Sequence, residues 1–132
     1  MPESDFISNK NKVKVLISFD LPSELVENVK RVSPRISVYQ TTDYAELLAL
    51  IKDADVLFAG KFSVEMFLSA NKLKWIQTSL VGVDRFLFPE VIKSNVVMTN
   101  AKSVNAVAVA EHVIALILCL NRKISLLQPD KQ

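Results

Sequence analysis

The sequence predicts an α/β fold, a doubly wound (flavodoxin-like, Rossmann-like) parallel sheet of about five strands followed by a long C-terminal helix. Five short runs, Val13–Phe19, Arg35–Gln40, Asp55–Gly60, Lys74–Ser79 and Val96–Asn100, have the length and composition of strands. Stretches of roughly ten residues with apolar positions at helical spacing alternate with them. Such crossovers return the chain to the same end of the sheet, which makes the pairing parallel. From Val113 to Leu120 the chain is apolar without interruption, as in a helix buried on every side.

Residues 1–12, MPESDFISNKNK, read as a flexible polar tail and lack the apolar core of a signal peptide. Val13–Phe19 is the first central strand. Pro22 suits a first helical turn, where its missing N–H costs nothing, and a helix over Pro22–Val32 sets Leu25, Val26 and Val29 on one face. Arg35–Gln40 alternates as a strand. Thr42 or Asp43 can cap a helix over Tyr44–Ala54, whose Leu47, Leu48 and Ile51 form an apolar stripe. The third strand ends at Gly60, and Ser63 is placed to cap a helix to Asn71. After the fourth strand Asp84 is placed to cap Arg85–Phe88. The fifth strand leads into a long helix over 103–128.

A chain of 132 residues fits one domain with a real core. Half of the residues are hydrophobic and the mean hydropathy is +0.26, which points to apolar surface meant for a partner. Sixteen Lys and Arg against 14 Asp and Glu leave a net charge of +2; with no basic footprint, nucleic acid is not an expected partner. Cys119 is the only cysteine and lies in the apolar run, so a disulfide framework is excluded and a reducing, cytoplasmic setting is expected. The longest apolar run has eight residues, where a membrane span needs roughly 20. No membrane partner is expected. One His and one Cys cannot form the usual metal cluster.

In doubly wound sheets ligands bind beyond the carboxyl ends of the strands. That rule gathers residues 59–62, 78–84 and 100–105 on one rim. In the loop Leu80–Val83, Gly82 lets the backbone approach closely, and successive peptide N–H groups in a turn make a small anion cradle suited to a carboxylate or phosphate. A plain turn glycine explains the same residue. A response-regulator receiver would share the topology, but it would want an acceptor Asp at the end of the third strand and an acidic pair after the first. Here Phe58, Ala59 and Gly60 end the third strand, and only Asp20 follows the first.

The ordered pattern KLKWIQTSLVGVDRF, then VVMTN, then NAVAVAEHVIALILCLNRK resembles the N-terminal, substrate-binding (catalytic) domain of the D-isomer-specific 2-hydroxyacid dehydrogenases. Within that family it is similar to the hydroxypyruvate and glyoxylate reductases and to formate dehydrogenase. The resemblance implies hydride transfer between NAD or NADP and a small 2-hydroxy or 2-keto acid. It makes Val81 and Gly82 the loop whose backbone N–H groups hold the substrate carboxylate. The sequence departs from the family at Leu80 and Val81, where a small residue followed by Ala is common, and its larger side chains narrow the pocket.

Asn105 matches an active-site position that contacts the substrate or orders the site; it also reads as a helix N-cap bonded to the N–H of Val107 or Ala108. Val109 matches the residue facing the nicotinamide, and its spacing of four from Asn105 puts both on one side of the helix. Lys61 falls where the family often sets a substrate contact, and also reads as a solvated loop lysine. His112 matches the histidine of the helix motif and not the family's catalytic acid/base. Glu111 is likewise not its histidine-orienting carboxylate. No catalytic residue is expected in this chain.

A Gly-rich phosphate turn needs more than glycines at 60 and 82. The expected organisation is therefore a substrate-binding domain over 13–102, an interdomain-type helix over 103–128 and no nucleotide-binding domain. The chain alone is expected to be inactive, to hold no cofactor and to bind the acid weakly. Its apolar helix is expected to form a homodimer through residues 105–127. The alternative is a non-catalytic dimerising or regulatory module that pairs through the same helix.

Overall fold

Residues 12–124 are described by a computed structural model. In chain order the elements are β1 (Val13–Ile17), α1 (Ser23–Arg31), β2 (Ile36–Gln40), α2 (Tyr44–Ile51), β3 (Val56–Ala59), α3 (Val64–Ser69), β4 (Trp75–Thr78), α4 (Pro89–Ile92), β5 (Val97–Thr99) and α5 (Ala106–Asn121). Every pairing is parallel and the sheet order is β2-β1-β3-β4-β5, the flavodoxin-like order. From β1 the chain first runs out to β2, then returns to form β3 on the other side of β1. The carboxyl ends of β1 and β3 therefore flank the switch point, where connections diverge and leave a crevice.

Register explains the core. Leu16 pairs with Leu57, and Leu57 with Ile76, so three large side chains from adjacent strands stand in one row on one face. Leu47 and Ile51 of α2 and Met66 of α3 close over that row, and all six are essentially without exposure. The outer strands close the row less fully: Met98 of β5, opposite Ile76, is only half-buried. α1 buries none of its residues; Val26 and Val29 are half-buried and Leu25 is exposed, so the face expected to seal against the sheet covers it only in part.

Local chemistry sets the helix starts. Asp43, not Thr42, caps α2, its Oδ1 accepting from the Glu46 N–H at 2.9 Å. Ser63 caps α3, accepting from the Met66 N–H at 3.2 Å. Each satisfies a donor that the first helical turn leaves open. Asp84 differs from the expected cap: it opens a 3₁₀ turn, Asp84–Phe86, whose N-cap position is Val83. The unpredicted α4 begins with Pro89 in its first turn, which suits proline's fixed φ and missing donor.

On the amino-terminal rim, Asp53 meets Lys72 at 3.1 Å and Lys14 at 3.8 Å, and Asp55 meets Lys74 at 3.2 Å. The hydrogen bond from Lys72, then its charge, holds the Asp53 carboxyl below its usual range. A lowered folded value stabilises above the unfolded pKa and is lost as pH falls through the folded one. Solvent exposure of the pair keeps that contribution small.

Compactness divides the chain between Ala101 and Lys102. In the second unit a turn over 102–105, with Ser103 at φ 70°, precedes α5, and Lys123 at φ 53° follows it. The helix thus runs over Ala106–Asn121 rather than 103–128, and residues 125–128 lie outside the described ones. Leu116, Ile117, Leu118 and Leu120 point in different directions, about 100° apart per residue, and each is at least half exposed. No helix among the described residues is long and apolar enough to cross a membrane.

Ile76→Ala should remove a fully buried row member and lower the unfolding free energy by about 2–5 kcal/mol, read from urea denaturation. Trp75→Ala, at a neighbouring position 43% exposed, should cost distinctly less.

Candidate functional site

Three loops leave the carboxyl rim of the sheet in neighbouring positions, after β1, β3 and β4. Ser18 ties the first two. Its side chain is fully buried; Oγ accepts from the N–H groups of Gly60 and Lys61, both at 3.1 Å, and donates to the Lys61 carbonyl at 2.7 Å. That uses the donor and both acceptor positions of a hydroxyl. Across the switch point the loop carrying Lys61 is therefore fixed from inside the protein.

The two glycines differ in what they are for. A Cβ on Gly60 would stand 2.6 Å from Phe19 Cβ, and Phe19 itself is held edge-on against Phe58, ring centroids 4.8 Å apart. Gly60 is required by that close approach. Gly82 lies outside the positive-φ region, and a Cβ there would meet only Asp84 Oδ2, at 3.5 Å, an ordinary contact. A side chain would fit at Gly82; what it would cover is the backbone of the loop.

That backbone is pinned on its inner side. Buried Thr78 Oγ1 accepts the Leu80 N–H at 3.1 Å. The Leu80 carbonyl accepts the Ala101 N–H at 3.1 Å, and the Val81 carbonyl accepts Asn100 Nδ2 at 2.6 Å. Among the described residues the N–H groups of Val81 and Gly82 meet no protein acceptor. Two adjacent donors in an exposed loop are the components of an anion cradle.

Lys61 donates from Nζ to the Thr42 carbonyl at 2.9 Å and lines an open pocket of about 330 Å³ with Tyr44, Ser63 and Arg85. Arg85 reaches back from the 3₁₀ turn to the Gly60 carbonyl at 3.4 Å, with its guanidinium 4.8 Å from the centroid of Phe86. Two cations thus share one pocket on the same rim as Val81 and Gly82. Nothing in the sequence marked Arg85, because its reach depends on the 3₁₀ turn that replaces the expected helix. Ser18 and Thr78 left a faint signal, as hydroxyl residues at the carboxyl ends of strand runs. Asn100 left none.

Asn105 and Val109 belong to the second unit. Asn105 takes the N-cap position of α5, but its φ of −102° and ψ of 8° depart from the extended conformation that aims a capping side chain inward, and it makes no side-chain cap bond. The expected bond to Val107 or Ala108 is therefore absent; only the Asn105 carbonyl is engaged, accepting the Val109 N–H at 2.9 Å. Val109 is 58% exposed, and Glu111 and His112 are exposed. Among the described residues no cluster of His, Cys, Asp and Glu could hold a metal ion.

A family model for the catalytic domain of D-isomer specific 2-hydroxyacid dehydrogenases matches residues 15–116. The chain is 30% identical over 115 residues to D-3-phosphoglycerate dehydrogenase of Methanocaldococcus jannaschii, covering 85% of this chain and 22% of that protein. It is 34% identical over 96 residues to glyoxylate reductase of Thermofilum pendens, covering 67% and 28%, and 27% identical over 114 residues to D-3-phosphoglycerate dehydrogenase of Synechocystis sp., covering 84% and 20%. The chain thus spans between a fifth and little more than a quarter of the length of these relatives. The crystal structure of a D-isomer specific 2-hydroxyacid dehydrogenase family protein from Aeromonas salmonicida shares the fold with a TM-score of 0.71 at 24% identity, over 89% of this chain and 38% of that one.

Gly60→Ala should destabilise the chain by about 1–3 kcal/mol, since Phe19 and Phe58 must shift to admit the methyl group, whereas Gly82→Ala should leave the thermal midpoint nearly unchanged. Ser18→Ala should also cost about 1–3 kcal/mol, because it strands buried partners of the hydroxyl. Thermal melts of the three variants, run side by side, check the order.

Proposed function

The chain belongs to the D-isomer specific 2-hydroxyacid dehydrogenase family, in that family's catalytic domain, and from this premise we propose that it is the substrate-binding part of an NAD- or NADP-dependent oxidoreductase acting on a small 2-hydroxy or 2-keto acid. The observation that carries the reading is the pair of outward N–H groups of Val81 and Gly82, in a loop pinned from behind and lying inside the matched stretch. Peptide donors suit a carboxylate because they stay fixed as the substrate arrives and need no change of protonation. Lys61 adds positive charge on the same rim. Asn105, in the second unit, is assigned to the acid from the family resemblance alone; its amide is not spent on capping α5 and keeps a donor and an acceptor.

The nicotinamide cofactor supplies or accepts the hydride when bound. In this chain Val109 offers an exposed apolar side chain for a flat ring, but the residues do not fit the pyrophosphate. Of the two glycines, Gly60 is closed off by Phe19 and Gly82 belongs to the carboxylate loop, so no Gly-rich phosphate turn is formed. The isolated chain therefore binds the acid weakly and does not transfer hydride. We assign it to the cytoplasm, where Cys119 stays a thiol, and infer a homodimer through residues 105–127, since the exposed apolar residues of α5 favour burial against a second copy.

NADH oxidation with glyoxylate or hydroxypyruvate and the purified chain should stay at background; robust turnover overturns the claim that this chain lacks the catalytic portion. Light scattering should give twice the monomer mass. Replacing Leu116 and Leu120 by Glu should return the chain to monomer, and a wild-type monomer at high concentration would remove the dimer from the proposal.

A further inference from the structure

We propose that Asn100 is a positioning residue for the carboxylate cradle, acting through the peptide bond that joins Val81 to Gly82. The proposal rests on the reading of Val81 and Gly82 as carboxylate donors. A peptide unit is planar and trans, so the carbonyl of one residue and the N–H of the next share a plane and point in opposite directions. No cis peptide bond interrupts this among the described residues. Whatever holds a carbonyl therefore aims the following N–H.

The loop is held in just this way, twice over. The Leu80 carbonyl accepts from the Ala101 N–H at 3.1 Å, which sets the direction of the Val81 N–H. The Val81 carbonyl accepts from Asn100 Nδ2 at 2.6 Å, which sets the direction of the Gly82 N–H. Consecutive residues after β5 thus aim the two consecutive donors after β4. The preceding peptide is fixed independently, its Leu80 N–H held by buried Thr78. A short bond to the Val81 carbonyl also polarises that peptide and strengthens its N–H as a donor. Gly82 needs this most: with no side chain to restrict it, its backbone is the freest in the loop.

Asn100 has no part in this as a ligand of the acid. Its amide donates to the carbonyl that points the opposite way from the Gly82 N–H in the same peptide unit, so it would govern affinity without touching the acid. Alanine at this position removes the donor; glutamine keeps an amide donor on a longer stem.

The test is an NMR titration of the nitrogen-15-labelled 132-residue chain with D-glycerate. In the wild type, the Val81 and Gly82 amide signals should move and saturate together, and the Asn100 side-chain amide signals should move with the same Kd. Asn100→Ala should raise that Kd at least tenfold while the rest of the spectrum stays folded, and Asn100→Gln should recover much of the loss. Without ligand, the heteronuclear NOE of Gly82 should fall in Asn100→Ala. An Asn100→Ala chain with wild-type Kd and wild-type Gly82 NOE overturns the positioning role and leaves the cradle standing. A wild-type chain whose Val81 and Gly82 signals ignore D-glycerate overturns the cradle itself, and with it the purpose assigned to Asn100. If the alanine variant fails to fold, the wild-type Asn100 side-chain signals decide: no movement on saturation with D-glycerate overturns the proposal.

Discussion

Parallel pairing is the constraint on which the rest of this structure depends. Because every strand lies parallel to its neighbour, each must be followed by a crossover, and every loop that leaves a strand leaves at the same rim. The order β2-β1-β3-β4-β5 then puts the loops after β1, β3 and β4 side by side. No residue of these loops is near the others in sequence; Ser18 reaches across a separation of 42 residues to accept the Gly60 N–H. A single buried hydroxyl can hold two loops there only because the sheet has already brought them together.

Packing and polar satisfaction divide the work between the ends of the strands. In the middle, the row Leu16, Leu57 and Ile76 is sealed by α2 and α3 and supplies stability by removing apolar area from water. At the carboxyl ends, the buried polar residues are Ser18 and Thr78, and each hydroxyl is spent on the backbone of a rim loop. Buried polar atoms are costly unless bonded, so these two are tolerated where they fix the loops on which the candidate site is built. At the amino-terminal rim the ion pairs of Asp53 are solvated, whereas half-buried Asp55 pairs with Lys74 and accepts the Lys14 N–H from Oδ2 at 3.0 Å, tying the start of β3 to β1.

For the site, the difference between Gly60 and Gly82 matters more than the presence of either. Gly60 answers a steric demand from Phe19. Gly82 answers none inside the protein, and the use proposed for it is to keep the backbone of the loop uncovered. Family membership and loop geometry meet at this point, since the stretch that matches the family includes the two outward peptide donors. Arg85, joined to Lys61 in one pocket, gives the rim more positive charge than Lys61 alone would.

The sequence by itself determined the fold class, all five strands and the cap at Ser63, and narrowed the cap of α2 to Thr42 or Asp43, because these depend on hydrophobic period and on bonds between residues three apart. It also determined which loop to watch, through the GVD motif and the VAE helix. Its errors lie where local signals compete. Asp84 looked like a cap and became the first residue of a 3₁₀ turn, and α5 covers Ala106–Asn121, inside the expected 103–128, with Ser103 and Lys123 at positive φ on either side. Only the tertiary structure decided which donors the rim leaves open. Ser18, Thr78, Asn100 and Arg85 act on partners 2 to 43 residues away, and a hydrogen bond across a sheet leaves no periodic trace in the chain. The loop after β4 was legible as a place; its chemistry depended on which carbonyls were already held from behind.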